Sequence, residues 1–177
     1  MKRKMTKALV LIVVVAMVAG AYAWGRSQAK ATTSTPAGMN VHLTDYSDND
    51  GTESTVVLSG AIGDFGTATR SGDQGAVMTL HLQRGTIQLD TTSLAKRFTT
   101  AVGKAVFSQT TCSGSVQVTS SVPILASSGT GAYKRASGKF SLSMNLDEVV
   151  PKQLNCSANN KMLGQAIVSS GWGKVSL

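Results

Sequence analysis

Two histidines, nine carboxylates and two cysteines give this chain most of its chemical scope. His42 and His81 are natural recruits for hydrolytic or metal chemistry, because imidazole changes charge near neutral pH and ligates metals. Each stands opposite an apolar row, in 39–44 and in 77–83, and neither has a partner at metal-ligand spacing. They read as solvated positions on strand faces. Asp45, Asp48, Asp50 and Glu53 offer hard oxygens of the kind calcium takes. An EF-hand frame anchored on Asp45, however, needs its glycine one residue before Gly51, and Asp50-Gly51 is a favoured hairpin turn. The stretch reads as a solvated acidic turn, and neither a metal nor a cofactor is expected.

The remaining constellations are weaker. No Gly-x-Ser-x-Gly elbow occurs, and the many serines and threonines suit polar strand faces, so no catalytic residue is assigned. Gly129-Thr130-Gly131 has the look of a phosphate loop, but a strand pattern follows it where an anion site needs a helix N-terminus. Lys134, Arg135 and Lys139 surround Tyr133 as a small basic cluster, suited to an anionic lipid or polysaccharide and equally to a solvated tip. Tyr46, Phe65, Tyr133 and Trp172 are the aromatic candidates for a cavity or its mouth. Cys112 and Cys156 have no CxxC or metal spacing, so a single structural disulfide is expected, with two buried free thiols as the alternative. Such a bridge stabilises by about 4 kcal/mol in the chain-entropy view.

These residues must be carried by strands. Phe140, Leu142, Met144 and Leu146 alternate with Ser141, Ser143 and Asn145, the period of two that sends one row into a core. Gly129, Gly131 and Gly138 let the chain turn tightly around Tyr133 just ahead of it. Similar alternation marks 39–44, 54–59, 77–83, 86–90 and 114–124, with Pro123 demoting the end of the last to an edge. A segment at 61–69 carries Gly60, Gly63 and Gly66, which suggests bulges or close backbone contacts. Residues 90–98 suggest one helical turn through Leu94 and Phe98, 99–111 fit neither period, and 162–175 form a last strand. About eight short strands with little helix point to an all-β antiparallel barrel, which also removes exposed edges.

The chain has 177 residues and a net charge of +8, but six of its basic residues lie within the first thirty and no acidic residue precedes Asp45. Beyond residue 30 the balance is close to neutral, so no nucleic-acid partner is expected. Residues 8–25 are uncharged, follow a basic start and end in Ala21-Tyr22-Ala23, the layout of a secretory signal cleaved after Ala23. The alternative is an uncleaved apolar anchor helix with its N-terminus in the cytoplasm. Either places the rest outside the cytoplasm, secreted or anchored in the plasma membrane, and the membrane is touched through this segment alone. The expected organisation is signal or anchor at 1–23, flexible linker at 24–38 and one β-barrel domain at 39–177.

Two stretches carry a resemblance. Leu58-Ser-Gly-Ala-Ile-Gly-Asp-Phe-Gly-Thr-Ala68, and Gly129-Thr-Gly-Ala-Tyr133 followed by Gly138, resemble small exported actinobacterial proteins of unassigned function. The second is also similar to the Gly-Thr-Gly-aromatic turn of the dirigent and allene oxide cyclase type of β-barrel, and the likeness spans about residues 56–175. It implies an eight-stranded barrel shaped as a cup for an apolar small molecule. The lumen candidates are Leu58, Phe65, Met78, Leu80, Leu82, Tyr133, Phe140, Leu142, Met144 and Trp172. The expected function is a binding or interaction module for an apolar small molecule or a cell-envelope component. The alternatives are a cyclase or dirigent-like protein acting on an apolar substrate in the lumen, and a structural envelope protein.

Overall fold

The structure is a computed structural model, and it describes residues 38–48, 53–152, 155–156 and 161–177. The expected signal or anchor at 1–23 and all of the linker but Gly38 lie outside these residues. Eight strands follow in order: β1 (Met39–Asp48), β2 (Glu53–Gly60), β3 (Asp64–Ser71), β4 (Val77–Leu82), β5 (Gly85–Asp90), β6 (Ser113–Pro123), β7 (Ser137–Val149) and β8 (Gly164–Ser176). One helix, α1 (Thr92–Val102), joins β5 to β6. All neighbouring strands pair antiparallel in a single sheet of order β5-β4-β3-β2-β1-β8-β7-β6.

Alternation fixes which side chains face the concave side of this curled sheet. Val41, Leu43, Asp45 and Ser47 of β1 point inward and are buried, as are Met78, Leu80 and Leu82 of β4 and Phe140, Leu142, Met144 and Leu146 of β7. The alternate residues, mostly polar, such as His42, Thr44, His81, Lys139, Ser141 and Ser143, face out. β7 is 13 residues long and pairs with β8 along its whole length, from Ser137↔Ser176 to Val149↔Gly164. It is the clearest strand in the sequence for this reason.

The barrel does not close by strand pairing. Among the described residues the edge strand β5 meets the other edge in one isolated bridge, between Leu89 and Ile124, the residue after β6, and the connection 124–136 spans the rest of the gap. The Leu125 amide donates to the Gln88 carbonyl (2.8 Å), and the Thr86 amide and the Thr130 amide reach Thr130 Oγ1 (2.9 Å) and the Thr86 carbonyl (3.0 Å). Two glycines make this approach possible. Gly131 has φ 55°, and a Cβ there would lie 2.3 Å from the Arg84 carbonyl oxygen; at Gly85, φ 142°, it would lie 2.2 Å from the Thr130 oxygen.

Three local expectations change. The segment expected at 61–69 is a turn followed by β3 from Asp64, because Gly60 at φ 87° ends β2 and the chain must reverse before it can pair again. The single helical turn is an eleven-residue helix, which explains why 99–111 fits no one period: it holds the end of α1 and then a turn. At the start of α1 the Asp90 side chain, not that of Thr91, accepts the Thr92 amide (3.0 Å). Hydrogen bonds from the Thr92 hydroxyl and then its amide hold the Asp90 carboxyl below its usual range, against the opposing effect of burial. Leu94 and Phe98 lay the apolar stripe of α1 against the open side of the sheet. Cys112 and Cys156 form the disulfide, across a separation of 44 residues, within a second small cluster with Phe107 and Val150.

Candidate functional site

The middle of the interior is full. Leu58, Met78, Leu80, Leu82, Phe140, Leu142 and Met144 all face inward and pack with Val41, Leu43, Ile87 and Leu89 into one buried cluster, joined by Tyr133. Phe65 and Trp172, also expected in the lumen, are instead on the outer face, with 61% and 60% of their surface exposed. The cause is phase: Phe65 follows the inward Asp64, and Trp172 lies between Gly171 and Gly173, whose positions face in. Tyr46 is outside for the same reason.

Polar groups enter the interior at its two ends. At the first, the Asp64 carboxylate accepts five hydrogen bonds. Oδ1 takes the Phe65 (2.8 Å) and Gln83 (3.3 Å) amides, and Oδ2 takes the Arg84 amide (3.3 Å), Arg84 Nε (3.2 Å) and the Tyr133 hydroxyl. Burial works to raise the Asp64 carboxyl, yet the bonds from Tyr133, Phe65 and Arg84 outweigh it and hold it below its ordinary value. Tyr133 is 0% exposed, and burial, with its bond to the Asp64 charge, pushes its hydroxyl up to about 12. The Arg84 guanidinium caps the assembly 5.8 Å from the Tyr133 ring centroid and donates to the Gly63 carbonyl (3.0 Å). Every element of the Gly-Thr-Gly-Ala-Tyr turn serves to set this ring into the end of the sheet.

At the second end lies Asp45, expected in a solvated acidic turn but 1% exposed, because β1 runs on through it in the inward phase. Its carboxylate accepts a hydrogen bond from Ser54 Oγ and pairs with Arg70 Nη2 at 2.7 Å. Across the sheet the inward row continues Asp45↔Ser169↔Met144. Ser169 is 1% exposed, and its hydroxyl has no hydrogen-bond partner among the described residues. Such a group costs about 1–3 kcal/mol to leave unsatisfied. Beside this row is a cavity of about 180 Å³ lined by Arg70, Thr91, Phe98, Met144 and Ile167 among others. Ala95, Phe98 and Thr99 of α1 form its roof.

The other expected residues are dispersed. His81 is exposed and touches Thr69 Oγ1 (3.0 Å), while His42 sits on the outer face against Ser170 and Trp172, with no metal-ligating cluster among the described residues. Lys134, Arg135 and Lys139 are exposed on and after the turn. Sequence reasoning passed over Asp64, Arg70, Arg84 and Ser169. The available signal was a charged or hydroxyl residue in the apolar phase of a strand, as Asp45 is after Val41 and Leu43. The chain matches no protein-family profile, no curated protein and no solved structure.

Proposed function

We propose that this chain is an extracytoplasmic binding module that holds a small, largely apolar molecule bearing one hydroxyl or carbonyl group in the mouth cavity under α1. The Ser169 hydroxyl carries the reading: it is buried, has no partner among the described residues, and stands directly across the strand pair from the lining residue Met144, so a ligand that reaches past Met144 would supply the bond it lacks. Phe98, Met144 and Ile167 offer the apolar wall. The Arg70 charge is matched by Asp45, which favours a neutral ligand over a carboxylate. A volume of about 180 Å³ holds roughly six waters and falls below the range of drug-sized sites, so the ligand is small. The disulfide supports an oxidising compartment.

The curled eight-stranded sheet and the Tyr133 turn support likeness to the dirigent and allene oxide cyclase type of barrel. The carboxylate paired with the lining residue Arg70, that of Asp45, is already committed to Ser54 and Arg70, which favours binding over proton-transfer chemistry. An NMR titration with 1-hexanol tests the proposal. Saturable shifts at Arg70, Phe98, Met144, Ile167 and Ser169 are expected; saturation with shifts elsewhere, or none at all, overturns it.

A further inference from the structure

Trp172 is a large indole standing on the outside of a sheet whose other outward residues are mostly small and polar. It is held there. The His42 ring packs against it at 4.8 Å between centroids, tilted by 53°, and His42 is itself fixed by Ser170 Oγ (3.1 Å) and Thr44 Oγ1 (3.4 Å). The two rows that meet at this indole run Ser59–His42–Trp172–Ser141–Ser121 and Asn40–Lys174–Lys139–Pro123. Between them is a groove of about 300 Å³ lined by Asn40, Ser121, Lys139, Ser141, Trp172 and Lys174.

Lys139 and Lys174 are direct cross-strand partners, an arrangement of like charges that destabilises a sheet. Neither row contains a carboxylate, and among the described residues ion pairs form at Arg70 and Arg84, not here. An anionic partner would relieve this repulsion. We infer that the Trp172 groove is a docking site for an anionic polysaccharide. The indole face stacks on the C–H face of a pyranose ring, Asn40, Ser121 and Ser141 meet its hydroxyls, and the lysine pair takes its acidic groups. A lipid surface fits less well, since insertion needs a continuous apolar patch and Trp172 is bordered by serines and lysines.

Affinity electrophoresis of the full chain through gels containing polygalacturonate or neutral dextran tests this. The basic N-terminal residues are common to every variant and cancel in the comparison. Polygalacturonate should retard the wild type, with at least tenfold weaker apparent affinity for Trp172→Ala and for Lys139→Gln/Lys174→Gln; neutral dextran should not retard it. Both variants change exposed side chains, and circular dichroism verifies their fold. Equal retardation of wild type and Trp172→Ala would reduce the interaction to charge alone and overturn the assignment. So would absence of retardation, or tighter binding to anionic phospholipid vesicles that both variants abolish.

Discussion

Asp64 and Asp45, the two carboxylates buried among the described residues of this sheet, are treated in opposite ways. Asp64, at one end of β3, has five donors and an aromatic ring packed against it, so every lone pair that matters is occupied. Asp45, near the other end, has Ser54 and the partly exposed Arg70, and its row neighbour Ser169 has no partner among the described residues. A saturated polar network rigidifies and closes the end that holds it; an incomplete one leaves room for a ligand to complete it. The fold is thus plugged at Tyr133 and open under α1.

Substitutions should separate the two ends. Asp64→Ala strands the Tyr133 hydroxyl and takes an acceptor from the Phe65, Gln83 and Arg84 amides, of which Gln83 keeps the Phe65 carbonyl (3.2 Å), and a loss of about 3–5 kcal/mol in urea denaturation is expected. A loss under 1 kcal/mol would mean that water replaces the carboxylate and that the end is not sealed. Tyr133→Phe removes one bond to a charged acceptor, for about 2 kcal/mol. It also carries a pH signature. With its folded value raised to about 12, Tyr133 contributes stability that is complete below pH about 10 and is lost as pH rises toward 12. Asp64, depressed in the folded state, contributes stability present above pH about 4 and lost as pH falls below it. The wild type should therefore weaken in both directions, and the Phe variant should lack the alkaline limb. An unchanged limb in the variant would assign it to another group.

How far the sequence foretold this follows the same division. The strands, their inward apolar rows and the disulfide were legible because alternation and cysteine arithmetic are local signals. The glycines around Tyr133 announced a tight turn, but not that its ring enters the interior, because that depends on Arg84–Gly85, more than forty residues away in sequence. Asp45 was assigned to the turn after β1 because charge usually marks the end of a strand. The strand instead continues to Asp48, and the Asp45 carboxylate is paired inside. Chemical character alone points Phe65 and Trp172 to the lumen, whereas phase decides the face, and the glycines flanking Trp172 hide its phase.

At the open end smaller effects are expected. Asp45→Asn should cost about 1–2 kcal/mol, since it weakens a charge-assisted pair whose Arg70 partner is 18% exposed and so partly screened. A cost matching that of Asp64→Ala would erase the distinction between the ends. The least stability change belongs to Ser169→Ala, which removes an unsatisfied hydroxyl and should be neutral or slightly stabilising, by up to about 1 kcal/mol. That variant also supplies the most direct test of the central claim, through its urea midpoint and its affinity for 1-hexanol measured side by side. The account requires a midpoint equal to or above wild type together with affinity reduced about tenfold. A lower midpoint with unchanged affinity would show that the hydroxyl is already satisfied within the fold, and that the open end is core rather than site.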